Sequence, residues 1–323
     1  MSDLARSASS ESMGIVGAGY HLPGEAVDLC EWGPRMGVAD ARIERLIGNG
    51  CRYFHSAKVE SDADIVVAAV DRVLRESSVK ASAIAYVVHA RTQNFSMPAA
   101  PHSLLAEVCA RTGMAPRLAF SISHLACASI IAAVDTAVRL LQSDPSASHA
   151  LVTSSDRVFG KADHRLRQDS GIQSDGGSAI LLGRRDVRSW IRTIALRTYP
   201  KLHTGPSTPT MGRLIGSAAW AHTAELLDEL GGGAGDGLQQ VDALLPTNAD
   251  IPYWRTVLEA RRARPGILFE ENARLRGHAC CADLAVNLAD EGLQRADQGD
   301  RVMCFSQSNV GAYGYIVLEG GHA

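Results

Sequence analysis

Apolar residues along this 323-residue chain recur in two rhythms, every second position or every third to fourth, with short polar or glycine-rich breaks between them. SDADIVVAAVDRVLRESS (61 to 78) places its apolar residues on one helical face behind a Ser61 or Asp62 cap, which predicts a helix. HSLLAEVCARTG (102 to 113) predicts a second helix, closed by Gly113. Between them AIAYVVHA (83 to 90) is a β-branched run that reads as a buried strand. Strands are also predicted over LAFSIS (118 to 123), HALVTSSD (149 to 156) and SAILLG (178 to 183), the last after the turn SDGG (174 to 177). In SISHLACASIIAAVDTAVRLL (121 to 141) a long helix of small and apolar residues follows Cys127.

After Arg185 the order restarts. WIRTIALRTY (190 to 199), VDALLPT (241 to 247), RVMCFSQ (301 to 307) and YGYIVLEG (313 to 320) predict strands. LIGSAAWAHTAELLDELGGG (214 to 233) and YWRTVLEARRA (253 to 263) predict helices. Strands alternating with helices imply an α/β protein with a largely parallel sheet covered on both faces. The restart divides the chain into similar halves, 13–185 and 186–323, behind a polar, serine-rich stretch 1–12 that is expected to be disordered.

Composition narrows the class. Hydrophobic residues at 46% and charged residues at 21% are ordinary for a soluble globular protein. A net charge of −3 and no polybasic run leave no electrostatic case for nucleic acid or a membrane surface. MSDLARSASSES lacks the apolar core of a signal peptide, and no apolar run is expected to reach the roughly 18 residues of a membrane span. Seven cysteines without regular spacing do not form a disulfide framework, and the adjacent Cys280 and Cys281 are not a CxxC motif. The expectation is a cytoplasmic, reduced protein without a metal site.

The chemistry-bearing residues are few. Gly17-Ala18-Gly19 lacks the third glycine and the immediate helix of a dinucleotide fingerprint, and Pro23 follows instead. Cys127 sits where a small-residue helix begins, so it is either core packing or a nucleophile stabilised by the helix N-terminus. The other six cysteines lack this setting. His278, in NARLRGHACCADLAVNLAD (272 to 290), lies on a strand-to-helix loop and is the candidate base. Asp283, five residues on, either receives its imidazole N–H or satisfies the first turn of the next helix. His124 either lines the same pocket or packs, and His55, His102, His149, His164 and His322 are expected to face solvent.

Together these segments resemble the thiolase superfamily, and within it the ketoacyl-synthase-III-like enzymes of bacterial fatty acid and natural-product pathways. GIVGAGYHLPGEAV is similar to that family's opening strand and VVHARTQNFSMPAAP to its next strand and loop. SISHLACASIIAAVDTAVRLL resembles its nucleophile segment, SDGGSAILLG its glycine-rich hairpin, and LLPTNADIPYW with RGHACCAD its base-bearing loops. The resemblance implies a homodimeric, five-layered α-β-α-β-α fold of two duplicated halves, with Cys127 as the acyl-carrying cysteine.

The departures from the family pattern direct the functional expectation. Condensing relatives carry His where this chain has Thr247, next to Asn248, and Asn where it has His278. That pair polarises a malonyl thioester, so its loss argues against malonyl condensation. Gly277-His278 with Asp283 resembles acyltransferase relatives of antibiotic pathways, which implies a Cys127-His278-Asp283 arrangement that moves an acyl group onto oxygen or nitrogen. Asp250 is the alternative acid. SQSNVGAYGY (306 to 315) stands where the family has an oxyanion loop, implying a second donor N–H from Asn309 or Val310 beside that of Cys127. Thr247, Asn248 and His124 are substrate-pocket candidates. ARIERLIGNG (41 to 50) has no tryptophan to stack on adenine, and Trp32 is out of register. An acyl carrier protein is therefore the favoured donor, with a coenzyme A thioester as the alternative, and no tightly bound cofactor is expected. The alternatives are a carbon–carbon bond-forming condensing enzyme and a non-catalytic partner subunit. With His278 as base, activity is expected to fall on its protonation near or somewhat below neutral pH.

Overall fold

The computed structural model describes residues 13–92, 98–159, 162–167, 170–199, 209–231 and 237–321. The expected disorder of residues 1–12 and the expected exposure of His322 lie outside the described residues. Nine strands form one sheet: β1 (Gly14–His21), β2 (Ile84–Ala90), β3 (Leu118–Ile122), β4 (His149–Asp156), β5 (Gly176–Gly183), β6 (Ser189–Thr198), β7 (Ala243–Pro246), β8 (Val302–Gln307) and β9 (Ala312–Gly320). Their spatial order is β7-β8-β9-β6-β1-β5-β4-β2-β3.

That order contains the same motif twice. In the first half β2 lies parallel to β3 and β4, and the sheet then turns antiparallel through β5 to β1. In the second half β7 lies parallel to β8, and the sheet turns antiparallel through β9 to β6. A parallel bridge from Leu244 to Leu268 stands where the first half has β3. The halves join where β1 and β6 pair at Gly14–Trp190 and Ile15–Ser189.

The sheet is mixed rather than largely parallel. Parallel neighbours need a long crossover, whereas β8 and β9 are joined by the short turn 308–311 and must reverse direction. Alternation of strands and helices predicts the crossovers but not these terminal reversals.

Helices fill three layers. On one outer face, α1 (Asp62–Ser77) starts from a capping box, in which Ser61 and Asp64 satisfy each other's backbone N–H. It packs with α2 (Leu104–Thr112) through Val66, Val70, Val73 and Val108. The other outer face holds α4 (Pro209–Leu230) and α5 (Ile251–Ala260), packed through Leu226, Leu227, Trp254 and Val257. Between the two sets of strands lie α3 (Ser129–Ser143) and α6 (Asp283–Asn287). The latter runs through a π turn (Leu288–Gly292) into α7 (Leu293–Asp297). Val134, Ala137, Leu284 and Leu288 share one core with first-half strands through Val88 and Ile180 and with second-half strands through Leu245 and Ile316. The result is five layers, α-β-α-β-α.

Two expectations change here. Ala126–Ser143 is long and apolar enough to span a membrane by length and composition, but α3 packs between the strand layers. The stretch before α1, unassigned from sequence, holds two helices, Leu29–Arg35 and Asp40–Gly48, with a small buried cluster of Leu29, Leu46, Cys51 and Phe54. Trp32 packs edge-on to Phe54 there, at 5.0 Å.

Candidate active site

The carboxyl ends of β2, β3 and β7 converge on the N-termini of α3 and α6, the place where open α/β sheets put their chemistry. Cys127 lies in a 3-10 turn (Ala126–Ala128) that feeds directly into α3, and is only 4% exposed. The approach is bent: His124 and Ala126 have φ of 69° and 48°. Left-handed backbone at non-glycine residues costs on the order of 1–3 kcal/mol each and tends to persist where the surroundings impose it.

His278 is fully buried, on the loop before α6. Its backbone is anchored on both sides, with its N–H donating to Ile172 O at 2.8 Å and its carbonyl accepting from Ser174 N at 2.9 Å. Gly277 makes this loop possible. Its φ is 67°, and a Cβ there would meet Ser174 Oγ at 2.8 Å, Ile172 O at 2.9 Å and Tyr53 O at 3.0 Å.

The two segments, 151 residues apart in sequence, meet side chain to side chain. Cys127 Sγ lies 3.3 Å from His278 Nε2, and His278 Nδ1 lies 2.5 Å from Asp283 Oδ2. Asp283 is 1% exposed, and its carboxylate also accepts the N–H of Ala279 at 2.7 Å and of Asn248 at 2.8 Å. The two readings of Asp283 are therefore both met, since one carboxylate orients the imidazole and satisfies backbone donors around the start of α6. Asp250 does not fill this place; its Oδ2 accepts from Gln307 Nε2 at 3.3 Å.

Electrostatics follow from that line. Burial works against a charged imidazole, but the Asp283 carboxylate, the Cys127 sulfur and hydrogen bonds to both outweigh it, lifting His278 from 6.5 to about 10. In the resting site the shift is therefore upward from the near- or below-neutral protonation that the sequence suggests, because the sequence does not show how close both anions come. An imidazolium at 3.3 Å in turn favours the thiolate of Cys127.

The other expected residues fall at different distances from this line. Asn248 is buried at 3% and is committed to Asp283 through its backbone N–H and, at 3.4 Å, its side-chain amide. Thr247 is buried beside it, whereas His124 is exposed. Asn309 and Val310 form the exposed tip of the β8–β9 turn, Val310 at 42% exposure. In that region Ser306 reaches the backbone of Cys127, its hydroxyl donating to the Cys127 carbonyl at 2.9 Å. His55, expected in solvent, is buried at 8%, its backbone held by the segment before β5: its N–H donates to Ser174 Oγ and its carbonyl accepts from Asp175 N, both at 2.9 Å.

Sequence reasoning missed two sulfurs. The donor atoms of Cys127, His278 and Cys280 all lie within 4.8 Å of one another. Its hydrogen bond to Cys127, then burial, push the Cys280 thiol well above its ordinary value, so Cys280 is the proton-bearing partner. Cys281 packs against Thr92 Oγ1 at 3.3 Å and Ala126 O at 3.4 Å. Beneath them, Asp156 accepts from Thr92 N at 2.9 Å and Cys281 N at 3.2 Å. The signal in the sequence is the similarity of HLACAS (124 to 129) to HACCAD (278 to 283).

Comparison with known proteins agrees with this architecture. Residues 122–200, which include Cys127 but not His278, match the family model of 3-oxoacyl-(acyl-carrier-protein) synthase III. No curated protein matches the chain in sequence. Among solved structures, ChlB3, described as an acyltransferase, is 16% identical with a TM-score of 0.79, covering 96% of this chain and 98% of its own. The priming β-ketosynthase of the R1128 polyketide pathway is 19% identical with a TM-score of 0.78, covering 95% and 96%. AbyA1, a tetronic acid condensing enzyme, is 19% identical with a TM-score of 0.75, covering 95% and 100%. A family match across the Cys127 turn and a likeness over nearly the whole chain together show that this protein has the fold of ketoacyl-synthase-III-type enzymes.

Proposed function

We propose that this protein is an acyltransferase that carries its acyl group on Cys127 and delivers it to an oxygen or nitrogen acceptor. The observation that carries the reading is the buried line from Cys127 Sγ to His278 Nε2 at 3.3 Å and from His278 Nδ1 to Asp283 Oδ2 at 2.5 Å. It has the order of nucleophile, base and orienting acid that acyl transfer requires.

The thiolate attacks the carbonyl carbon of a donor thioester; the donor C–S bond breaks, and the leaving thiolate takes the proton from His278. Neutral His278 then accepts the acceptor's O–H or N–H proton as that atom attacks the Cys127 thioester. The C–S bond breaks, and the thiolate is restored. Asp283 keeps Nδ1 protonated, so that Nε2 handles the proton. The oxyanion is assigned to the N–H of Cys127 with that of Asn309 or Val310. Thr247, Asn248 and His124 are assigned to the pocket around it, Asn248 through its hold on Asp283. The donor enters as a carrier-protein phosphopantetheine or coenzyme A thioester, and no further cofactor takes part. A homodimer is supported by β3, the last strand of the sheet, whose Leu118 is 46% exposed on an edge that a second copy can cover.

Intact mass measurement after incubation with acyl-carrier-protein and acyl-coenzyme A thioesters tests the reading. One acyl adduct is expected, absent in Cys127→Ala and discharged by an amine or alcohol acceptor. An adduct that survives Cys127→Ala, or none with any donor, sinks it. The second reading, a condensing enzyme, has the likeness to AbyA1 and the priming ketosynthase in its favour. Release of CO2 from malonyl carrier protein would decide for it.

A further inference from the structure

Cys280 has no step in the proposed transfer, yet its thiol is buried against the nucleophile and the base. We propose that Cys127, His278 and Cys280 form a binding site for a soft divalent cation, zinc above all, which blocks acyl loading while bound.

The donor set fits in kind. Two sulfurs and one imidazole nitrogen are what zinc takes from a protein, with a fourth position left for water. It also fits in size. Zn–S bonds of about 2.3 Å and Zn–N bonds of about 2.0 Å place tetrahedral ligand atoms roughly 3.5–3.8 Å apart. Here Cys127 Sγ and His278 Nε2 are 3.3 Å apart, and all three donor atoms lie within 4.8 Å of one another. Small side-chain adjustments are enough to close them on an ion.

The surroundings supply what metal-binding histidines ordinarily have. His278 turns its other nitrogen to Asp283 at 2.5 Å, and that carboxylate is held by Ala279 N and Asn248 N. A carboxylate behind the imidazole fixes the ring and raises its basicity toward a metal. Cys280 is delivered by a left-handed backbone, φ 56°, in the turn that precedes α6. The balance is simple: one cation enters, and the Nε2 proton of His278 and the thiol proton of Cys280 leave. No electrons move. The bound ion occupies both Cys127 Sγ and His278 Nε2, so the thioester cannot be attacked. This inhibition rests on the acyl-transfer reading; the binding itself does not.

The test uses the full chain, reduced with a phosphine and freed of metal. Native mass spectrometry with zinc chloride, and thiolate-to-metal absorption with cobalt(II) as the probe, read binding without any substrate. One ion per chain is expected, with affinity falling about tenfold or more in Cys280→Ala and in the near-isosteric Cys280→Ser, and unchanged in Cys30→Ala, which removes an exposed cysteine. Thermal melting of the metal-free variants checks that they are folded. No retained ion, or equal affinity in folded Cys280→Ser, overturns the site. So does a species two hydrogens lighter without metal, which would make the pair a disulfide. With binding established, zinc should slow formation of the Cys127 adduct and a chelator should restore it. Unchanged loading would overturn the blocking role.

Discussion

Two turns occupy the same place in the two halves of this molecule. His124-Leu125-Ala126-Cys127-Ala128-Ser129 leads into α3, and His278-Ala279-Cys280-Cys281-Ala282-Asp283 leads into α6. Each contains a 3-10 turn, and the residue that starts it, Ala126 or Cys280, has φ of 48° or 56°. Cys127 therefore corresponds to Cys281, His124 to His278, and Ser129 to Asp283. Their environments have diverged. His124 is exposed and His278 is fully buried. Ser129 Oγ is buried without a hydrogen-bond partner among the described residues, whereas Asp283 accepts from His278, Ala279 and Asn248. Cys281 faces Thr92 and backbone carbonyls, and Cys127 faces an imidazole. Duplication supplies two similar bends at the centre of the fold; the chemistry lies in what each bend no longer shares with the other.

The largest expected contrast is between the two cysteines. Cys127→Ala should abolish the acyl adduct and lower turnover by roughly 10⁴ or more, while Cys281→Ala keeps the adduct in the mass spectrum. Loss of the adduct in Cys281→Ala alone would reverse the assignment. Between the histidines, His278→Ala should cost on the order of 10²–10⁴ in turnover, and His124→Ala less than about threefold. Comparable losses in steady-state assays would mean that the exposed histidine shares the proton transfer.

A third contrast concerns pH. With His278 raised to about 10, the resting enzyme at neutral pH holds an imidazolium beside the sulfur, so loading is already poised. Discharge needs the neutral imidazole. Thioester formation removes the thiolate that helps to raise His278, so the acid limb of discharge should lie above 6.5 and below about 10, with the rate rising as pH rises. Asp283→Asn removes the strongest influence that raises His278 and should move that limb downward. Single-turnover discharge of a preformed adduct measures both, and a wild-type limb at or below 6.5 breaks the argument.

Two stability effects are smaller. Gly277→Ala forces a Cβ into Ser174 Oγ, Ile172 O and Tyr53 O at a left-handed position, and should cost about 1–3 kcal/mol in denaturant unfolding. Ser129→Ala removes a buried hydroxyl that has no partner among the described residues and should change stability by less than about 1 kcal/mol. A loss above that would show that the first turn, too, depends on a polar contact at this position.

Much of the fold was legible along the chain. The Ser61 cap, the Gly113 stop and the β-branched run 84–90 sit where their chemistry predicts, because caps and apolar periods act over a few residues. The helix expected over 214–233 instead spans Pro209–Leu230, a shift typical of ends that packing sets. In the site, Cys127 and His278 were legible as a residue before a helix and a residue after a glycine. Cys280 was not, since an adjacent cysteine pair has no spacing rule, and its place depends on a backbone turn of φ 56°.

By itself, then, the sequence determined the alternation of strands and helices, the doubling of the motif, and a cysteine at the mouth of a central helix. Tertiary structure alone decided that Cys127 meets His278 across 151 residues and that Asp283 rather than Asp250 orients it. It also decided that a second thiol joins them and that the sheet is mixed. The reason is one of range: caps and periodicity are written within a turn or two of chain, whereas these contacts exist only because two halves pack around one central layer of helices.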